Sequence, residues 1–438
     1  MRKLFIICFC ITLISQLSFA QKQILLLQQC VDTALARNRN VKQQAIEIKN
    51  KGIVYDQARK NLLPTVSFDA SHTLNFGRTL GENNTYLSNT AIANNSTAQI
   101  STNVVLFNGF KLLNTIKMKD ADRLASQADM EKIKFTITTN VVADYLQVLL
   151  NKELLQLATN QLQLTRAKIE QRKVLIDNGR LPEGDLLELY SQEAKEELRE
   201  VQAGNNLKLS VLDLSQIMEV DDFENLELVV PKEFETGELK LSVPEQNYES
   251  IISHRPEIKA AEYRLKNSEY ALTANYSGYF PTLSLTGNIG TAYYTDNSEV
   301  KYNSFGQQFS DKINGGFMLT LSVPLFDKFI TRNNIRSAKL AIESSRIGIE
   351  DAKIQISKSI QQAYYDALNA KNKWEAANKS VLAATESNRF ADQKYDAGKA
   401  SLYELYQAKT NLTQALSEQI QAKYEYLFKI KLLDLFKL

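Results

Sequence analysis

The sequence predicts a mainly α-helical protein with membrane-type β-strands, internally duplicated. In it a barrel of long coiled-coil α-helices is joined to a β-barrel that one copy cannot close alone. Three observations predict this. Short motifs recur at a spacing of about 217 to 219 residues. Each copy of the pattern carries two stretches in which apolar and polar residues strictly alternate. Each copy then continues into roughly 70 residues that lack proline and repeat apolar side chains every seven positions. The first structural repeat is expected over 21–243 and the second over 244–438.

The chain opens with Met1-Arg2-Lys3, an apolar run from Leu4 to Leu17, and Ser18-Phe19-Ala20. A basic start, a short apolar stretch and small residues before a cleavage point describe a secretory signal peptide over 1–20. Cys8 and Cys10 fall inside it, leaving Cys30 without an intrachain partner. Later apolar runs such as Val141 to Leu150 stop at about ten residues, half of what a spanning helix needs. A membrane location therefore requires strands.

A helix is expected from about Leu27 to Asn61, and the first hairpin over 63–107 follows it. From Val66 to Phe76 the even positions are Val, Phe, Ala, His, Leu and Phe, and the odd ones Ser, Asp, Ser, Thr and Asn. Period two over about eleven residues suits a tilted membrane strand. Ala98, Ile100, Thr102, Val104 and Leu106 continue the alternation. In the second hairpin, over 281–326, so do Leu283, Leu285 and Ile289, then Phe317, Leu319, Leu321 and Val323. The polar stretches Gly77 to Ser96 and Tyr294 to Asn314 are expected as long loops. Half-buried hairpins of a soluble sheet are the competing reading. Four strands cannot close a barrel, and an open edge in lipid leaves backbone groups unpaired at several kcal/mol each. Strands must be pooled between copies. Two copies would give about eight strands and a filled interior, three about twelve and a lumen.

The long helices are expected over 108–178 and 328–396, each about 100 Å at 1.5 Å per residue. Val141, Val148, Leu155, Leu162, Ile169 and Ile176 lie one heptad apart, as do Ile342, Ile349, Ile356, Ala363, Ala370, Ala377, Ala384 and Ala391. The alanines favour close packing in a wall of many helices over a solitary two-stranded coil. Asp177-Asn178-Gly179-Arg180 and Asp396-Ala397-Gly398-Lys399 mark the helix tips, where glycine ends a helix in the left-handed conformation. Return helices follow over about Gly184 to Met218 and Leu402 to Phe436. A linker is expected over 219–243, then a helix from about Pro256 to Ser277.

Composition excludes several classes. There are 52 basic and 50 acidic residues, and removing Arg2 and Lys3 equalises them, so no basic stripe for nucleic acid is expected. Two histidines and three cysteines, without CxxC or HExxH spacing, predict neither a metal site nor a cofactor. No phosphate-binding loop and no clustered acid and base are visible, so the chain does not read as an enzyme. A structural or adhesive coiled-coil surface protein would account for the heptads but not for paired membrane strands placed twice.

Leu27-Gln28-Gln29-Cys30-Val31-Asp32-Thr33-Ala34-Leu35, His254-Arg255-Pro256-Glu257-Ile258, the Pro-Thr before each first strand and Tyr395-Asp396-Ala397-Gly398 followed by Glu404 resemble the outer membrane efflux protein family, the TolC-like exit ducts. The similarity spans essentially the whole mature chain. It implies a homotrimer with a twelve-stranded barrel in the outer membrane and a long periplasmic helical tunnel. It also implies a membrane-fusion adaptor and an inner-membrane transporter as partners. The resemblance places Tyr395 and Glu404 at the narrow end of the tunnel, with Asp185 and Glu188 as counterparts in the first half. Ala400 and Gln407 depart from the family pattern, which has an arginine and an aspartate there. Three copies of each acid would form rings that attract cations. The competing role for Glu404 is the capping box of Ser401-Leu402-Tyr403-Glu404, and for Asp185 the dipole of its helix. An adaptor is expected to meet Gly179, Arg180, Leu181, Gly398, Lys399 and Ala400.

Overall fold

The computed structural model describes residues 23–78, 86, 92–178, 184–221, 226–230, 248–297 and 301–437. The expected signal peptide, most of the linker, and Gly179, Arg180 and Leu181 lie outside these residues. The chain divides into two compact units, one of Ile46–Ala128 and Glu257–Asp351, the other of Met1–Ala45, Asp129–Pro256 and Ala352–Leu438. Among the described residues no helix is long and apolar enough to cross a membrane.

The first unit holds an antiparallel sheet of β2 (Thr65–Phe76), β3 (Ile92–Phe107), β5 (Thr282–Asp296) and β6 (Asn314–Ser322), in the order β2-β3-β5-β6. Its register brings the apolar sets of all four strands to one face. Phe68 pairs with Ile100, Ile100 with Ile289, and Leu285 with both Val104 and Leu319. The opposite face carries Ser67, Ser101, Asn103, Thr286 and Thr320. Serine and threonine hydroxyls bond across it, as between Ser67 and Ser101 at 2.8 Å. The apolar face is open to its surroundings, with Phe317 85% and Val66 72% exposed. His72 lies on this face, and its Nδ1 meets the hydroxyl of its cross-strand partner Ser96 at 2.8 Å. Phe317 lies over Gly287, so that a Cβ there would stand 2.9 Å from the ring. Replacing Phe317 by arginine is expected to cost about 2–4 kcal/mol of stability in a bilayer, as charges on a lipid-facing strand do. Arginine at Thr320, on the polar face, should cost far less. Urea titration of lipid-reconstituted protein distinguishes the two.

The strands are longer than the sequence predicts. β3 already begins at Ile92 and β5 runs to Asp296, because backbone pairing extends from Ala93–Asp296 onward and overrides the polarity of Asn94, Asn95 and Tyr294. The expected second loop also contains a helix, α7 (Phe305–Asp311). Past Gly290, β5 has no further pairing with β6. There the Gln308 carboxamide accepts from the Tyr294 N–H and donates to its carbonyl, standing in for a strand.

Four helical segments adjoin the sheet: the end of α2 (Arg39–Lys60), the first part of α3 (Lys111–Asp177), α6 (Pro256–Tyr276) and the first part of α8 (Ile330–Asp396). Lys51 bonds Asp122 at 3.0 Å from α2 to α3. The Asn267 amide donates to the Met118 carbonyl from α6 to α3, and the Ser268 and Ser345 hydroxyls meet at 3.0 Å from α6 to α8. The helical row thus follows the order of the strands. The passage from β3 to α3 uses two successive left-handed residues, Gly109 at φ 63° and Phe110 at 64°, and that from β6 to α8 repeats them at Lys328 (56°) and Phe329 (63°). In each, the second aromatic packs edge-on against a partner three residues before it, Phe107 and Phe326.

In the second unit the expected helix from Leu27 to Asn61 is instead broken into α1 (Leu27–Arg37) and α2. Asn38 causes the break: its ψ of 131° leaves the helix, its Oδ1 accepts from the Asn40 N–H, and its Nδ2 donates to the Ile217 carbonyl. The expected linker contains β4 (Leu226–Leu228), which pairs in parallel with β1 (Gln23–Leu25). The Tyr145 hydroxyl secures this pair by donating to the Val229 carbonyl. The core around it includes Cys30, Val141, Val148, Leu149, Leu214 and Leu427. Burial pushes the Cys30 thiol up to about 12, which removes its thiolate at neutral pH. Arg255, between the short helix α5 (Tyr248–His254) and the Pro256 that opens α6, is buried with its guanidinium 4.3 Å from the Phe135 ring and 5.3 Å from the Phe436 ring, the two rings being 5.3 Å apart. The heptad series of α3 is lodged in packing, with Val141, Val148, Leu162 and Ile169 all buried.

Candidate functional site

The candidate site is the tip of the second unit, between the end of α8 and the start of α9 (Leu402–Lys437). Here α8 stops at Asp396 through a paired closure: the Lys399 N–H donates to the Lys394 carbonyl at 2.8 Å and the Gly398 N–H to the Tyr395 carbonyl at 2.9 Å. This Schellman geometry needs a left-handed residue, and Gly398 supplies it at φ 70°. Lys399 is exposed and Ala400 half-buried. The Ser401 hydroxyl then accepts from the Glu404 N–H at 3.2 Å and caps α9, while the Glu404 side chain stays exposed. In the first half, α4 (Gly184–Met218) carries Asp185 in its first turn, with a side chain outside the described part, and Glu188 exposed on the next.

Tyr395 is half-buried, and the Arg172 guanidinium stacks over its ring at 4.7 Å. Arg172 also reaches the Asp396 carboxylate at 3.5 Å, and one turn earlier on both helices Lys168 bonds Asp392 at 2.7 Å. The two pairs form a ladder between α3 and α8. Burial pushes the Tyr406 hydroxyl well above its ordinary value, with Tyr395 and the carboxylates of Glu188 and Glu196 raising it further and Arg172 opposing them. Tyr395 and Glu188 therefore share one electrostatic neighbourhood with Arg172 and Tyr406.

Further along α9, Lys409 ties three helices together. Its ammonium donates to Thr165 Oγ1 on α3 at 2.6 Å and to Glu196 Oε1 on α4 at 3.1 Å. The Lys409 and Glu196 side chains are 13% and 4% exposed. Burial draws the Lys409 ammonium below its ordinary value, against the pull of Glu196. Gln192 donates to Glu196 Oε1 as well, whereas Oε2 has no hydrogen-bond partner.

Sequence reasoning singled out Tyr395, Gly398, Glu404, Asp185 and Glu188 but did not single out Lys168, Arg172, Glu196 or Lys409. One signal was present: Lys168 and Arg172, and Asp392 and Asp396, are each spaced by one helical turn with opposite charges. Among the described residues no group of three or more His, Cys, Asp or Glu side chains is placed to hold a metal ion.

Comparison with known proteins agrees with this architecture. The family model described as outer membrane efflux protein matches residues 30–219 and 247–433. Toxin and drug export protein A of Aggregatibacter actinomycetemcomitans is 22% identical over 412 residues, covering 91% of this chain and 83% of the relative. Outer membrane protein TolC of Escherichia coli is 21% identical over 384 residues, 85% of this chain and 74% of the relative. The crystal structure of the Campylobacter jejuni CmeC outer membrane channel superposes with a TM-score of 0.78 at 18% identity, covering 94% of this chain and 85% of that one, a likeness of fold. Two stretches of the family model therefore account for most of the chain, which belongs to the outer membrane efflux protein family and is an efflux channel protein of the outer membrane.

Proposed function

We propose that three copies of this chain form a passive duct. Each copy contributes four strands to a twelve-stranded barrel, and the helices continue as a tunnel into the periplasm. The single observation that carries the proposal is the sheet: apolar on one face, polar on the other and, among the described residues, unpaired along the outer sides of β2 and β6. Lipid tolerates no such edge, so the edges close on other copies. In this reading a membrane-fusion adaptor docks on the tips around Gly179, Arg180, Leu181, Gly398, Lys399 and Ala400, and an inner-membrane transporter supplies the energy. Tyr395 belongs to the closure of the tunnel, and Glu404, Glu188 and Asp185 face its entrance.

The test is reconstitution. Detergent-purified protein should have the mass of a trimer and give ion currents in planar bilayers. A monomer without conductance overturns the proposal, and an adhesive coiled coil would likewise carry no current. Glu404→Gln should reduce cation preference, because a ring of three carboxylates at a constriction concentrates cations. Unchanged selectivity would leave Glu404 with only its place in the helix start.

A further inference from the structure

The connection from β5 to β6 folds back on both faces of β5 at the end of the sheet away from the helices. On the polar face the Tyr302 hydroxyl donates to the Asp296 carboxylate at 2.6 Å, and its ring meets that of Tyr294 edge-on. On the apolar face lies α7. The Thr291 hydroxyl donates to the Phe309 carbonyl at 2.7 Å, the Phe305 ring meets Tyr293 edge-on at 5.0 Å, and Phe309 stacks on Phe305 at 5.1 Å. Alternate residues of a strand share a face, so Thr291 and Tyr293 continue the series of Leu283, Leu285 and Ile289. Helix α7 is therefore held on the side of the sheet that bears Phe317. It is two-sided itself: Phe305 and Phe309, four residues apart, point to one flank, while Gln307, Ser310 and Asp311 are exposed polar residues. Phe305 is 54% exposed despite its ring partners, and Ile313, just after the helix, is 60% exposed.

We infer that α7 seats in the outer-leaflet interface of the outer membrane, on the lipid side of the barrel and not across its mouth, with Phe305 and Ile313 where headgroups meet acyl chains. The partner is the lipid surface, and the inference rests on the barrel reading above. Continuity with the apolar band sets the level. Tyr293 lies ten residues on from Leu283, a distance of about 33 Å along a strand that rises about 3.3 Å per residue. A tilt of about 40° reduces this to a height of about 25 Å, that of the lipid-facing band of a membrane barrel. Tyr293 and the helix packed on it thus stand at the outer limit of the band, where the amphipathic rings of aromatic residues settle. The polar flank of α7 is left to water and headgroups. Tyr302, gripping the other face of the same strand end, keeps the connection astride β5.

Depth-resolved fluorescence tests the seat. Trp374 is the one tryptophan of the chain, so Trp374→Phe gives a dark background. In it, Phe305→Trp reports on α7 and Phe317→Trp on the interior of the band. Each protein is reconstituted into phosphatidylcholine vesicles whose acyl chains are brominated either near the headgroup or near the chain end. Phe305→Trp should lose most of its emission to the shallow bromines and little to the deep ones, and Phe317→Trp the reverse. Ile313→Trp should behave as Phe305→Trp does and serves as the reporter if the exchange at Phe305 disturbs the ring stack. If Phe317→Trp is quenched by lipid but the two α7 reporters are quenched only by aqueous acrylamide, the helix lies in water or over the mouth; the inference then fails and the barrel stands. If lipid bromines quench none of the three, the sheet is not in the bilayer and both readings fall.

Discussion

Exchanging Lys409 for methionine is expected to lower unfolding stability by about 3–5 kcal/mol, the range found when one member of a buried ion pair is removed. The ammonium offsets the charge of Glu196, whose side chain is 4% exposed and already has one oxygen without a partner. Without Lys409 that carboxylate must be protonated, hydrated or expelled, and Thr165 Oγ1 loses its donor. The double variant Lys409→Met with Glu196→Leu should recover most of the loss, since well-packed apolar replacements of a buried pair are often neutral or better. Chemical denaturation of the four proteins of this cycle measures the coupling. A single variant as stable as the parent would mean that the pair is hydrated in the assembled protein.

The second large effect is expected at the tip. Arg172→Ala removes both the stack over Tyr395 and the pair with Asp396. Each contact is modest: a cation over an aromatic face contributes about 0.5–2 kcal/mol, and a partly exposed pair rarely more than about 1 kcal/mol. Their position magnifies them, because in a threefold assembly three such contacts would be lost together. Basal conductance in planar bilayers should rise several-fold, with Arg172→Lys intermediate because an ammonium keeps the charge but not the planar face. Lys168→Ala, which breaks the neighbouring rung, should add to the effect. Currents equal to the parent's would reduce Arg172 to packing.

Much of this fold was legible because its elements are long and strongly periodic. The alternation around Val66 to Phe76 identifies a strand without reference to anything distant. The heptads of the long helices set both their length and their buried side. What the sequence could not disclose depended on neighbours. The break at Asn38 needs the Ile217 carbonyl as its partner, almost 180 residues away. The extra length of β3 and β5 comes from backbone pairing, which is blind to the polarity of Asn94 or Tyr294. At the site, motifs pointed to Tyr395 and Glu404, whereas Arg172 stands out only beside the Asp396 of a second helix and Lys409 only where three helices meet.

The two free strand edges bear on how damage to one copy spreads through a mixed population. In the proposed trimer each subunit would join its neighbours through different sides, so a subunit spoiled along one side could still recruit a healthy neighbour through the other. It would then hold that neighbour in a ring that never shuts. A cell carrying one intact and one defective gene would therefore lose more than half of its working ducts, and such an allele would behave as dominant.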